Sequence, residues 1–174
     1  MAEVNQDLRG TISGTTRLAA VIGNPVRHSL SPTLLNAAFD ATGLDWAFVS
    51  LEVEAGDVGP ALEGARALQL AGLSVTMPHK TAVAALMDRR SEAAERLDAV
   101  NCVVVEDRCL VGHNTDGDGF LDGLDHDSAM DVSGCSAVVL GAGGAARAIV
   151  QALGGAGASE VSVVNRTANR AEAT

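Results

Sequence analysis

The stretch SAVVLGAGGAARAIVQALGGAG, residues 136–157, decides the fold class. A short β-branched run ends in a glycine turn that opens straight into an apolar helical pattern. Gly141-Ala142-Gly143-Gly144-Ala145-Ala146 fits the spacing G-x-G-x-x-[GA]. A backbone without Cβ atoms can approach a pyrophosphate closely, and the first N–H groups of the following helix, which lack intrahelical acceptors, can bind it. Between Ser133 and Ser159 the only charge is Arg147, yet Gly141, Gly143, Gly144 and the GGAG of residues 154–157 interrupt the run. It therefore predicts a buried strand and helix rather than a membrane span. EVSVVN, residues 160–165, follows as a second strand. Strand, glycine turn, helix and strand read as the first part of a Rossmann dinucleotide-binding domain.

The end of that second strand selects the nucleotide. An NAD site usually places Asp or Glu there for the ribose 2′-hydroxyl. This chain places Arg166 there, with Arg170 one helical turn later. A guanidinium pairs bidentately with a 2′-phosphate, which an acid would repel, so the expected cofactor is NADP (NADPH). The expected contacts are Gly141, Ala142, Gly143, Gly144, Ala145, Asn165, Arg166, Thr167 and Arg170.

Upstream, DHDSAMDVSG (125–134) breaks the pattern with acids and small polar residues. A boundary near it predicts one domain over 1–126 and a second over 127–174. In the first part, RLAAVIG (17–23) reads as a strand, and Ser31-Pro32 opens a helix that ends at Thr42-Gly43, with Ser31 as N-cap. DWAFVSLEV (45–53) and LSVTMP (73–78) are further strands. Between them, Leu62, Ala65, Leu68, Leu70 and Ala71 suggest a helix ending at Gly72. KTAVAALMD (80–88) and SEAAERLDA (91–99) are helical, and VNCVVVEDRCLVG (100–112) reads as a hairpin. The fold class is α/β: an N-terminal domain with a mostly parallel sheet covered by helices, then part of a Rossmann domain. A dinucleotide-binding domain normally carries about six strands, so the sequence looks cut short.

Composition limits the partners. The 174 residues are 47% hydrophobic and 20% charged, normal for a well-cored globular chain. Aromatic residues make up only 2%, so Ala, Val, Leu and Ile must build the core. A net charge of −10 disfavours nucleic acid and anionic membrane surfaces as partners. Cys102, Cys109 and Cys135 lie in apolar runs without C-x-x-C spacing and read as small buried thiols. No apolar h-region opens the sequence, and the expected setting is cytoplasmic. His28, His79, His113 and His126 lack metal-ligand spacing, so no metal is expected.

The remaining polar clusters each sit at one end of a predicted strand. Ser29 and Ser31 follow the first; Thr76, Pro78 and Lys80 surround the end of the third. Asn101 begins one hairpin strand, and Asn114-Thr115-Asp116 follows its partner. Such ends line the ligand crevice of open α/β sheets. Hydroxyls, an amide, one Lys and one Asp suit a small polyhydroxylated anion. Ser31 and Asp116 could equally cap helices, and Lys80 could be a solvated first-turn lysine.

VIGNPVRHSLSPTLLNAAF, LSVTMPHK, DAVNCVV, HNTDGDGF, LGAGGAARAI and NRT, in this order from about Leu18 onward, resemble the shikimate dehydrogenase family. The resemblance implies reversible reduction of 3-dehydroshikimate to shikimate with NADPH, as part of aromatic amino-acid biosynthesis. It also implies a substrate domain with a mixed sheet, facing a Rossmann domain across a cleft. Ser29 and Ser31 would hold the substrate carboxylate, and Thr76, Asn101 and Asp116 its hydroxyls. Lys80 and Asp116 would be the catalytic pair, with Lys80 protonating the nascent alkoxide. Relatives that also accept quinate, often with NAD, tend to carry an acid where this chain has Arg166. The family continues for roughly another hundred residues, which complete the nicotinamide pocket and return a helix bearing a substrate-contacting Gln. A binding fragment without turnover and a quinate/shikimate enzyme are the alternatives, and a homodimer is left open.

Overall fold

The computed structural model describes residues 12–172. The chain enters through β1 (Arg17–Gly23), whose side chains alternate between two cores. Ala20 and Ile22 pack with Leu73, Val75 and Val103 and with the helical Val58, Leu62 and Val83. Ala19 and Val21 face the other way, against Val26 and Phe48, with Leu35, Phe39 and Trp46 closing over them. Both faces are covered, which is why RLAAVIG is a nearly unbroken apolar run. Each fully buried side chain such as Ile22 or Leu62 contributes about 1.5–3 kcal/mol over its exposed state.

After β1 come α1 (Ser31–Thr42), β2 (Trp46–Glu52), a short 3-10 turn, α2 (Val58–Ala67) and β3 (Gly72–Val75). Then follow α3 (Lys80–Ala84), β4 (Arg89–Arg90), α4 (Glu92–Leu97), β5 (Cys102–Glu106), β6 (Cys109–His113) and α5 (Asp116–Ser128). The chain finishes with β7 (Ser136–Leu140), α6 (Gly144–Gly155), β8 (Glu160–Val164) and α7 (Ala168–Glu172). The first six strands form one sheet in the order β2-β1-β3-β5-β6-β4, and β7 and β8 form a second. Pairs β1–β2, β1–β3 and β4–β6 are parallel, whereas β3–β5 and β5–β6 are antiparallel. β7 and β8 run parallel, in register from Ser136↔Glu160 to Leu140↔Val164.

Several local expectations change. Ser31 is the first residue inside α1, not its cap: Leu30 occupies the cap position without a side-chain cap bond. α2 ends at Ala67, leaving Leu68 exposed, and Leu70 and Ala71 are buried on the approach to β3. β4 is a two-residue strand that lacks the apolar alternation by which strands are read. α5 extends to Ser128, so the acids Asp125 and Asp127 belong to a helix rather than to a break. The cysteines are not buried: Cys102 and Cys109 are half-buried, and Cys135 is exposed in the turn before β7. Ser91 caps α4 as its sequence indicates, its Oγ accepting the Ala94 N–H at 3.3 Å.

Candidate active site

Topology gathers the polar clusters at one sheet edge. β1 and β3 are parallel, so the loops after them leave on the same side. β5 starts, and β6 ends, on that side too, because Cys102 pairs with His113 in the antiparallel hairpin and with Ser74 near the end of β3. The two loops after β1 and β3 touch. The Asn24 N–H donates to the Met77 carbonyl at 3.0 Å, and a Cβ on Gly23 would collide with the Thr76 methyl. Glycine at 23 is what lets the Ser29–Ser31 loop lie beside the loop of Thr76 and Lys80.

Ser29 and Ser31 are half-buried and mutually oriented. Ser29 Oγ donates to Ser31 Oγ at 3.1 Å and accepts the Ser31 N–H at 3.2 Å. Buried Val26 anchors the loop, its carbonyl accepting the Ser29 N–H at 3.0 Å. Thr76 continues β3, its N–H donating to the Ile22 carbonyl at 3.0 Å.

Lys80, the first residue of α3, meets Asp116, the first residue of α5: Nζ lies 2.5 Å from Oδ2, with both side chains about four-fifths covered. The other carboxylate oxygen of Asp116 accepts from Asn101 Nδ2 at 2.7 Å. Asn101 also donates to Thr115 Oγ1 at 3.0 Å and accepts the Thr115 N–H at 2.9 Å. The main chain ties these residues to one another: the Val100 N–H donates to the Lys80 carbonyl at 2.9 Å, and the Val75 N–H to that of Asn101 at 2.7 Å. Lys80, Asn101 and Asp116 form one hydrogen-bonded unit.

Two residues stand behind this unit: Asn114, read in the sequence with the Thr115–Asp116 cluster, and His79, to which the sequence assigned no role. Asn114 is buried; its Oδ1 accepts the Asp116 N–H at 3.2 Å and its Nδ2 donates to the Ala99 carbonyl at 3.0 Å. His79 is also buried, its Nε2 lying 2.7 Å from the Val53 carbonyl, which fixes the residue immediately before Lys80. Only their burial reveals them as supports, since buried polar groups persist where they are hydrogen-bonded.

The Gly-rich turn of the second sheet stands next to Lys80. A Cβ on Gly144, the first residue of α6, would lie 3.7 Å from Lys80 Cδ. Gly141 has φ +116, a backbone region that favours glycine, and its N–H donates to the Val164 carbonyl at 2.8 Å. Gly143 occupies the cap position of α6 with no side-chain cap, and Cβ atoms on Gly141 and Gly143 would meet nothing within 4 Å. A helix start with uncapped N–H groups and open space above it fits a diphosphate. Ala142 and Ala145 flank these glycines. Asn165 donates to the Thr167 carbonyl at 2.9 Å, and Arg166 and Thr167 are exposed after β8. Arg170 falls on α7, and its side chain lies outside the described residues.

A concavity of about 1190 Å³ opens elsewhere, at the opposite sheet edge among Thr16, Leu68 and Arg108. Among the described residues no cluster of three or more His, Cys, Asp or Glu could hold a metal ion. No described helix is long and apolar enough to cross a membrane.

Sheet, polar edge and glycine turn define a class: α/β proteins in which a six-stranded mixed sheet is followed by a strand–helix–strand unit with a glycine-rich turn. Residues 21–103 match the family model for the shikimate dehydrogenase substrate binding domain, and residues 124–174 match that for shikimate / quinate 5-dehydrogenase. The chain belongs to the shikimate dehydrogenase family. A relative from Geobacter sulfurreducens, shikimate dehydrogenase (NADP(+)), is 48% identical over 92% of this chain and 56% of its own length. The crystal structure of shikimate 5-dehydrogenase from Listeria monocytogenes, in complex with shikimate and NAD, superposes with a TM-score of 0.87. It is 41% identical over 93% of this chain and 57% of that one. The Thermus thermophilus enzyme, in complex with NADP(H) and shikimate, gives a TM-score of 0.85 at 38% identity, over 91% and 59% of the two chains. The chain thus spans about half the length of the curated relatives it matches.

Proposed function

We propose that this chain carries the substrate site, and the first part of the cofactor site, of an NADP-dependent oxidoreductase interconverting 3-dehydroshikimate and shikimate. The observation that carries this is the Lys80–Asp116–Asn101 unit with the start of α6 packed beside it. A reacting carbon bound there would lie between a proton source and the nucleotide turn. On this reading residues 1–126 form the substrate domain and 127–174 the opening of the Rossmann domain. The setting is cytoplasmic, the reaction belongs to aromatic amino-acid biosynthesis, and a homodimer is compatible with it.

Bound NADPH would supply the hydride, and this chain's residues would bind and orient the reactants and move the proton. Ser29 and Ser31, already turned toward one another, would hold the substrate carboxylate through Oγ–H donors. Thr76, Asn101 and Asp116 would orient the ring hydroxyls. Lys80 Nζ would donate a proton to the carbonyl oxygen as that oxygen gains charge, and would receive it back during oxidation. Asp116 would hold the amine in line, with Asn101 fixing the second oxygen of its carboxylate. Gly141, Ala142, Gly143, Gly144 and Ala145 would cradle the diphosphate, while Asn165, Arg166, Thr167 and Arg170 would hold the adenosine 2′-phosphate.

Lys80→Ala tests the assignment. Turnover of shikimate with NADP should fall about 10²–10⁴-fold, the range of a general acid–base contribution, while shikimate affinity by calorimetry changes far less. A variant that loses binding in proportion to turnover would make Lys80 a binding residue only.

A further inference from the structure

Among the described residues, α5 and α6 pack on one another more extensively than any other pair of helices. At their crossing a Cβ on Gly117 would lie 3.0 Å from the Ala148 carbonyl oxygen and 3.0 Å from Ala152 Cβ. Gly119 and Gly123 on the same helix have nothing within 4 Å of a built Cβ, so the closeness is specific to position 117. Ala148 is fully buried and also packs on Leu97 and Ala99, next to the loop that carries Asn101.

A side chain at 117 would have to be accommodated by one of the two helices. The start of α5 is held from three directions. Asn114 Oδ1 accepts the Asp116 N–H, Asn114 Nδ2 ties that turn to the Ala99 carbonyl, and the Asp116 carboxylate is gripped by Lys80 and Asn101. Among the described residues α6 has no comparable polar anchor on α5, so α6 is the element expected to shift. Its first residue, Gly144, is the one beside Lys80 Cδ.

We propose that Gly117 is a positioning residue: its missing Cβ sets how closely α6 seats on α5, and thereby where the glycine turn stands over Lys80. This rests on the proposed function for its catalytic consequence, not for its geometry. A displacement of a few tenths of an ångström to one ångström separates the nucleotide turn from the reacting group, the scale at which misplacement costs up to about 10²-fold in rate.

The test compares Gly117→Ala, Gly117→Val, Gly119→Ala and the double variant Gly117→Ala with Ala152→Gly. Each is assayed for kcat with NADP and shikimate and for shikimate affinity by calorimetry. The first should lose about tenfold in kcat and the second more, with shikimate affinity within about twofold. Gly119→Ala should match the wild type, and removing the Ala152 methyl should restore part of the loss. A crystal structure of Gly117→Ala should show a widened Gly144–Lys80 separation. An unchanged separation overturns the proposal, as does wild-type kcat in Gly117→Val. If the wild-type chain itself shows no turnover, the proposed activity fails while the crystallographic separation still decides the role of Gly117. Where Gly117→Ala does not fold, Ala152→Val adds bulk to the same contact from the α6 side and is read by the same separation.

Discussion

Lys80 commits one N–H to Asp116 and keeps two donors for a ligand, so the pair is oriented without being saturated. Asp116 is held through both carboxylate oxygens and through its own N–H, which leaves it little freedom to leave Lys80. Arg166 stands apart from this cluster and bears on a different choice. Replacing it by Asp should raise the KM for NADP by about 10- to 100-fold relative to that for NAD, because a guanidinium pairs with a 2′-phosphate that an acid repels. Steady-state kinetics with both nucleotides checks this, and an unchanged ratio would detach Arg166 from cofactor choice. Ser29, Ser31, Thr76, Lys80, Asn101 and Asp116 were legible as residue types following or opening strands. The tie from Asn114 to Ala99 and the close approach at Gly117 to Ala148 and Ala152 were not, because they depend on how distant segments pack.

Elements in this chain are tied to one another by a few directed bonds as well as by the core. Asp88, in the segment between α3 and β4, accepts from Arg66 of α2 at 2.7 Å and from the Leu110 N–H of β6 at 2.6 Å. The Arg66 guanidinium first, and the Leu110 N–H second, hold the Asp88 carboxyl below its ordinary value of 3.8. A carboxyl depressed in the fold favours folding above its unfolded value and loses that contribution as pH falls through and below it. The melting temperature of the wild type should therefore drop more steeply than that of Asp88→Asn between about pH 5 and pH 3. Parallel curves would contradict the assigned tie. Most elements were readable from period and punctuation: β1 as an apolar run, α1 from Pro32 and Gly43, the hairpin from the charged turn at Asp107 and Arg108. The end of α2 was not, because Leu68 continues the helical period and yet lies exposed. β4 was not either, because a two-residue pairing leaves no pattern to read.

At the scale of the whole molecule, the two sheets meet through α4, α5 and α6, and the helix that begins with Asp116 carries one side of that contact. The polar sheet edge and the glycine turn thus share a single structural joint, which places the start of α6 beside Lys80. The division into two sheets was legible because the glycine turn follows a fresh apolar strand; how closely the sheets approach was not, since it is set at Gly117. The most direct measurement is the formation of NADPH by the purified chain in the presence of NADP and shikimate, followed by absorbance, with shikimate binding measured in parallel by calorimetry. The account expects shikimate-dependent NADPH formation together with saturable shikimate binding. Shikimate bound without any reduction of NADP would contradict the oxidoreductase assignment for this chain, and absence of both would contradict the substrate site as well.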